Sequence, residues 1–314
     1  MSKSLENPLV PHSLPNSLVL QPHGGLGNQL FMYFAALYLV RKNEKLLHID
    51  FPFTHKSFGL HTGSIREFEL NASISLGSNL ARLSVKDSLQ SRILSLDHFP
   101  KGLKNVIGRR LSHFHSFNLG FSRGLEFASC ANFVSGYFQT CRYFDQLTPG
   151  DKDLGFDKFL GSALYGSYKR EIVSSASTAL HVRRGDYLSH RVTYGLLSPE
   201  YYKLAVSKLR DFTEVKKLFI FSDSEELLEG SDWKFSGVEV EFVDTRKELT
   251  ATETLRLMAF AENHIIANSS FSWWGAKMSK RGGVVIAPNE WFRTVRQPEL
   301  LIPDGWIKSQ SMWL

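Results

Sequence analysis

The sequence predicts an α/β protein whose strands form a mainly parallel, doubly wound sheet. From about residue 165 onward, short apolar runs alternate with segments of helical periodicity, which is the pattern of strand–helix–strand units. Three apolar runs also empty into polar turns containing Gly or Ser. In parallel sheets the carboxyl ends of the strands are where ligands bind.

Taken in order, residues 1–17 are polar and proline-containing and read as a loose leader. Leu18-Val19-Leu20 opens a strand over 18–22, and the spacing of Phe31, Phe34, Ala35 and Tyr38 predicts a helix over 28–42. Leu46 to Asp50 reads as a second strand. Residues 52–125 show no period and read as irregular. Between 80 and 124 this stretch carries Arg82, Lys86, Arg92, Lys101, Lys104, Arg109, Arg110 and Arg123 against Asp87 and Asp97. It reads as a solvated helical surface, with a face toward anionic lipid headgroups as the alternative.

Beyond residue 165 the prediction is strand 178–182, helix 199–210, strands 217–222 and 238–243, helix 252–262, strand 264–267, helix 272–280 and strand 283–287. Ser198 is placed to cap the first of these helices, with Pro199 at its first position. The resulting division is a leader (1–17), an N-terminal unit (18–160) and a C-terminal unit (161–314).

Composition narrows the function classes. At 314 residues the chain is long enough for one large or two medium domains. Its 43% hydrophobic and 22% charged residues are those of a globular protein. A net charge of +6 fits an anionic ligand or a membrane surface and compels neither. No zinc-finger, RNP or helix-turn-helix pattern is present, so nucleic acid is not an expected partner. Cys130 and Cys141 make neither a metal site nor a disulfide framework and are expected as buried free thiols, with a pairing between them as the alternative. No apolar segment reaches the ~18 residues of a membrane span, and the N-terminus has no secretory apolar core. Asp151-Lys152-Asp153 has the form of a metal-holding acidic pair. It follows Pro149-Gly150 with no strand before it, and reads as a solvated loop.

Three motifs carry chemistry. In His181-Val182-Arg183-Arg184-Gly185-Asp186-Tyr187, two guanidiniums and a carboxylate follow an apolar strand. Arg binds phosphate oxygens in two-pronged geometry and keeps its charge in a partly dry site, so the stretch reads as an anion site. The alternative is a surface salt-bridge cluster. Gly24-Gly25-Leu26-Gly27-Asn28-Gln29-Leu30 joins a strand to a helix N-terminus, an arrangement whose free N–H groups face anions. No Lys-Ser/Thr pair follows as in a P-loop, and the third glycine of a dinucleotide fingerprint falls at Leu30. Asn268-Ser269-Ser270-Phe271-Ser272-Trp273-Trp274-Gly275-Ala276 places hydroxyls where they cap a helix or donate to phosphate. Trp273 and Trp274 read as core.

Together these motifs resemble the α-1,2-fucosyltransferase family, bacterial type, over roughly residues 18–292. The His-x-Arg-Arg-x-Asp element is similar to one shared with α-1,6- and protein O-fucosyltransferases. Gly136-Tyr137-Phe138-Gln139 and Phe221-Ser222-Asp223-Ser224 add to the likeness. The resemblance implies a GT-B-like fold, two facing Rossmann-like domains with a ligand cleft between them and the donor nucleotide mainly on the C-terminal one. It further implies an inverting transfer of fucose from GDP-β-L-fucose to the 2-hydroxyl of a terminal galactose on an oligosaccharide or lipid-linked glycan. No cofactor or metal is expected. The bacterial type implies a cytoplasmic location, with peripheral contact to the inner membrane as a further expectation.

On this reading Arg183 neutralises the leaving diphosphate, assisted by backbone N–H groups around Gly25, Gly27 and Asn28 and by hydroxyls of Ser269, Ser270 and Ser272. Arg184 orients the loop through a carboxylate. Asp186 holds the loop rigid or handles the acceptor proton, and His23 is a second candidate base. His181 contacts the nucleoside or packs at the strand end. Asp223 accepts from guanine N1–H and the exocyclic amine, or caps a helix. The competing readings are a fucosyltransferase of another linkage and a non-catalytic sugar-nucleotide or glycan binder.

Overall fold

A computed structural model describes residues 16–51, 65–76, 84–96, 98–224, 233–244 and 247–314. The predicted leader lies almost wholly outside them, as do Arg82 and Asp97.

The chain builds two sheets in sequence, and every named strand pairing is parallel. The first takes β1 (Ser17–Leu20), β2 (Leu46–Phe51), β3 (Ser73–Leu76), β4 (His113–His115) and β5 (Phe133–Ser135) in the order β3-β2-β1-β5-β4. The second takes β6 (Ser177–Val182), β7 (Lys217–Ser222), β8 (Glu239–Phe242), β9 (Asn263–Ile265), β10 (Val285–Pro288) and β11 (Ile307–Ser309) in the order β11-β10-β9-β6-β7-β8. β6, between β9 and β7, is buried along its whole length, as a parallel strand covered on both faces must be.

Most predicted elements stand within a few residues. Helix α7 (Pro199–Arg210) and strand β7 have the expected bounds. Helix α1 (Leu26–Lys42) starts two residues early, so Leu26 and Gly27 fall inside its first turn rather than in the loop before it. Ser198 holds the N-cap position of α7, yet its side chain makes no capping bond.

Residues 52–125 are not irregular where described. They hold β3, α2 (Val85–Leu94), α3 (Lys101–Gly108) and β4. Their period was hidden because the apolar side of these helices is partly turned outward: Leu89, Leu103 and Val106 are exposed while Asp87 and Lys104 are buried. The supposed loop at 149–153 is corrected too. Pro149–Lys152 forms a short helix, α5, and Asp151 is buried, with Oδ1 accepting from Arg41 at 2.7 Å and Oδ2 from Thr148 at 2.8 Å. Cys130 is exposed and Cys141 half-buried, both free; burial pushes the Cys141 thiol up to about 11.

The two sheets meet along α1 and α9 (Ser270–Lys277). Trp273 and Trp274 are fully buried there. Trp274 stacks on Phe34 at 4.9 Å, and its indole N–H donates to the Gly27 carbonyl at 2.9 Å. A Cβ on Gly27 would lie 2.4 Å from the backbone of Ser270, so only glycine lets the two helices approach this closely. Behind α9, α8 (Ala251–Phe260) starts in a capping box made by Thr250 and Glu253. Arg256 of α8 sits among Phe68, Phe156 and Phe159 and donates to the Glu67 carbonyl at 2.9 Å, a second tie between the halves.

Candidate active site

The predicted motifs converge at the carboxyl ends of the two sheets. β6 delivers Arg183 and β7 delivers Asp223; β9 leads to Asn268 and the start of α9; β1 leads to the glycine turn and α1. The centre is Arg183. Its guanidinium pairs with Asp186 through one nitrogen and with Asp223 Oδ2 at 2.7 Å through another, while Nε is buried without a partner. The ring of Tyr187 supports it from below at 5.1 Å, and the Tyr187 hydroxyl donates to the Asn268 carbonyl at 3.1 Å. The loop is therefore fastened to the end of β9 as well as to β7.

Asp223 does two jobs at once. Its Oδ1 accepts from the Arg184 backbone N–H at 2.8 Å while Oδ2 holds Arg183. Gly185 makes room for this: a Cβ there would lie 2.3 Å from Asp223 Oδ2. The guanine contact expected of Asp223 would compete with the two bonds it makes in this structure. Arg184 departs from expectation as well. It is buried, and its guanidinium donates to the carbonyls of Leu197 at 2.9 Å and Arg183 at 3.1 Å, so it ties the loop through carbonyls rather than a carboxylate.

His181 is buried beside Phe271, with ring centres 5.8 Å apart. Burial, then the nearby Arg183 charge, pushes it down to about 3, so it is neutral at ordinary pH. Its Nδ1 has no partner.

The remaining predicted donors divide. Ser269 caps α9, accepting from the Phe271 N–H at 3.4 Å, and Ser270 stays half-exposed. Ser272 does not face the cleft: it is fully buried, donating to the carbonyls of Ala267 and Ser269. Gly25 caps α1 and is half-exposed, whereas Gly27 serves the helix contact described above. The Asn28 carboxamide accepts from Gln139 at 2.9 Å, tying α1 to the segment after β5.

Residues 81–308 match the profile of Glycosyl transferase family 11. The chain belongs to that family. Two Escherichia coli relatives agree with the assignment of this family 11 glycosyltransferase. "O-antigen biosynthesis glycosyltransferase WbnK" is 27% identical, over 90% of this chain and 97% of its own length. "Alpha-1,2-colitosyltransferase" is also 27% identical, over 92% and 97%. Among solved structures, a mutant of Arabidopsis thaliana FUT1 in complex with GDP superposes with a TM-score of 0.50 at 13% identity, covering 95% of this chain and 74% of that one. That likeness concerns the fold, and it supports the GT-B-like arrangement that the family resemblance implied.

Some residues of this family 11 enzyme's cleft escaped the sequence reading. Tyr187 lies four residues after Arg183, in a 3-10 turn (Gly185–Leu188) that brings its ring back under the guanidinium. Nothing in the residue pattern distinguished it from a surface tyrosine. On the opposite rim, His23, already a candidate base from the sequence, meets Tyr137 edge-on at 5.1 Å, and the unforeseen His115 meets Phe117 at 4.6 Å. His113 and His115 share the Ser135 hydroxyl, each at 2.8 Å. Burial lowers the pKa of His23 below its ordinary value, keeping it neutral. Among the described residues the one group of carboxylates close enough to share an ion, Glu171, Glu239 and Glu241, surrounds Lys217 at the amino end of β7, away from this edge.

Proposed function

We propose that the chain is an inverting, metal-independent α-1,2-fucosyltransferase. It moves L-fucose from GDP-β-L-fucose to the 2-hydroxyl of a terminal galactose on a glycan, in the assembly of an O-antigen. The observation that carries this is Arg183, held between two carboxylates at the end of the central strand of the C-terminal sheet.

The two carboxylates differ in a way that fits the reaction. Asp186 is 65% exposed and Asp223 20%. An exposed ion pair is worth little and exchanges easily, so the arriving diphosphate takes the place of Asp186 while Asp223 keeps the guanidinium aimed. As the bond from the anomeric carbon to the β-phosphate oxygen breaks, its electron pair stays on that oxygen, facing Arg183. The acceptor 2-hydroxyl bonds to the opposite face of the carbon, which turns the β-linked donor into an α-linked product. Its proton passes to a base, for which the displaced Asp186 carboxylate is the first candidate and neutral His23 the second. Ser270 and the free N–H groups at the start of α9 and α1 add donors to the phosphates. His181, neutral and unpartnered at Nδ1, takes the nucleoside side together with Phe271.

The α-1,2 linkage is supported by the name of the colitosyltransferase relative. That name also favours a second reading, the same linkage with a colitosyl nucleotide as donor. The test offers purified protein both nucleotide sugars with a panel of galactosides and reads product linkage by NMR. An α-1,2-fucosyl product supports the first reading and an α-1,2-colitosyl product the second. A different linkage, or binding without transfer, overturns both.

A further inference from the structure

α3 is an amphipathic helix turned the wrong way round for a soluble surface. Leu103 and Val106 are more than half exposed, whereas Lys104 is 4% exposed and buried against the Phe127 ring at 5.1 Å. Neighbouring α2 repeats the pattern. Val85, Leu89 and Arg92 recur at four- and three-residue spacing, so they share one side, and all three are exposed, as is Leu96 just past the end of the helix. The two helices pack on each other, which makes these residues one surface rather than scattered apolar side chains.

The exposed charge on the two helices is of one sign, with the half-buried Glu126 on the 3-10 turn (Arg123–Phe127) packed beside them. Lys86, Arg92, Lys101, Arg109 and Arg110 are exposed around it. Among the described residues 84–110 the sole carboxylate is Asp87, buried and held by Ser84 and Ser112. The sequence adds Asp97, outside the described residues. Exposed leucine and valine ringed by lysine and arginine match a bilayer with anionic headgroups, apolar groups entering the acyl boundary and cations staying at the phosphates. A second copy of the chain fits poorly, because a two-fold contact would set this basic surface against itself.

The location also fits the reaction. α2 packs against β4, and Arg92 stacks on Phe117 at 4.2 Å, two residues past His115 on the N-terminal rim of the cleft. We propose that α2 and α3 dock the enzyme on an anionic phospholipid surface through Leu89, Leu103, Val106 and their basic neighbours, holding the cleft rim against the membrane. The docking itself does not depend on the donor or linkage proposed above, so its test reads binding apart from catalysis.

The full chain is co-sedimented with vesicles of phosphatidylglycerol and phosphatidylethanolamine, and with vesicles of phosphatidylcholine alone. Binding to the first and not the second is expected, weakening as salt rises. Leu103→Glu with Val106→Glu should abolish it, while Arg109→Gln should reduce partitioning by roughly fivefold. Circular dichroism and transfer to a soluble acceptor should stay unchanged in these variants, since the side chains are exposed and outside the cleft. Equal binding to both vesicle types overturns the anionic assignment. Full binding by the double variant overturns the surface. A wild-type dimer in light scattering that the double variant breaks, without vesicle binding, assigns the surface to a second copy instead.

Discussion

Arg183 is held by charge on two sides and by an aromatic ring beneath, so its shape matters as much as its charge. A lysine keeps the charge but cannot reach Asp223 and a phosphate through separate nitrogens. Arg183→Lys should lower turnover by at least ~100-fold, the scale of losing a transition-state contact. Arg184→Lys should behave differently. The buried Arg184 bonds to Leu197 and Arg183 carbonyls, so the change should cost roughly 1–3 kcal/mol of stability, read by urea denaturation, with turnover less affected. Near-normal turnover in Arg183→Lys beside a dead, fully folded Arg184→Lys would reverse these roles. Gly185→Ala places a methyl group 2.3 Å from Asp223 Oδ2, so it should lower turnover about tenfold or more through a misaimed guanidinium, with an unchanged circular dichroism spectrum. Because Arg183 and helix-end donors are assigned the neutralising work, transfer should persist in excess EDTA. Activity that collapses and returns only with manganese or magnesium would remove that assignment.

At the scale of elements, the seam between α1 and α9 sets the geometry of the cleft, and Gly27 sets the seam. Gly27→Ala drives a methyl group into the backbone of Ser270 and Phe271 at 2.4–2.6 Å, where no side chain is available to move aside. It should destabilise the protein by about 1–3 kcal/mol. Gly102, in α3, is the control: a Cβ there meets nothing within 4 Å, and Gly102→Ala should be neutral or stabilising by a few tenths to about 1 kcal/mol. Equal urea midpoints for the two variants would show that α1 and α9 yield more readily than their packing implies. Gly27 also shows a limit of motif reading. The strand–glycine–helix pattern placed a glycine turn at the same sheet edge as the other motifs, but the pattern alone does not tell a glycine needed by a ligand from one needed by a second helix.

At the scale of the whole molecule, burial has left several histidines uncharged. His181 is pushed down to about 3 and His264 to about 4 by desolvation, and His23, His113 and His115 are lowered for the same first cause. The unfolded chain binds protons near pH 6.5 that the folded chain refuses, so stability rises with pH across this range. It should be fully present above about pH 6.5 and fall as the pH drops toward 4, where His264 begins to charge in the fold. Each fully neutral histidine contributes up to about 1.4 kcal/mol per pH unit. Urea unfolding at pH 7.5, 6 and 5 should show the loss already between the first two steps, above the carboxylate range. A flat profile down to pH 5 would mean these rings reach water.

The sequence by itself determined the α/β class, the parallel alternation after residue 165, and which strand ends carry the arginine, glycine and serine motifs. These are local properties: a strand's apolar run, a helix's period and a Gly- or Ser-containing turn are written in consecutive residues. It also singled out Arg183, Asp186 and Asp223, which the structure brings together. Only the tertiary structure decided which partner each one meets. It turned Arg184 and Ser272 inward, set Asp223 against Arg183, brought Tyr187 beneath the guanidinium and gave Gly27 to α9. It also gave bounds to α2 and α3 in a stretch that read only as a solvated helical surface, because their exposed apolar and buried polar residues invert the pattern that marks a helix in water. The direction of a side chain and the partner it meets depend on residues tens to hundreds of positions away, and no local pattern records them.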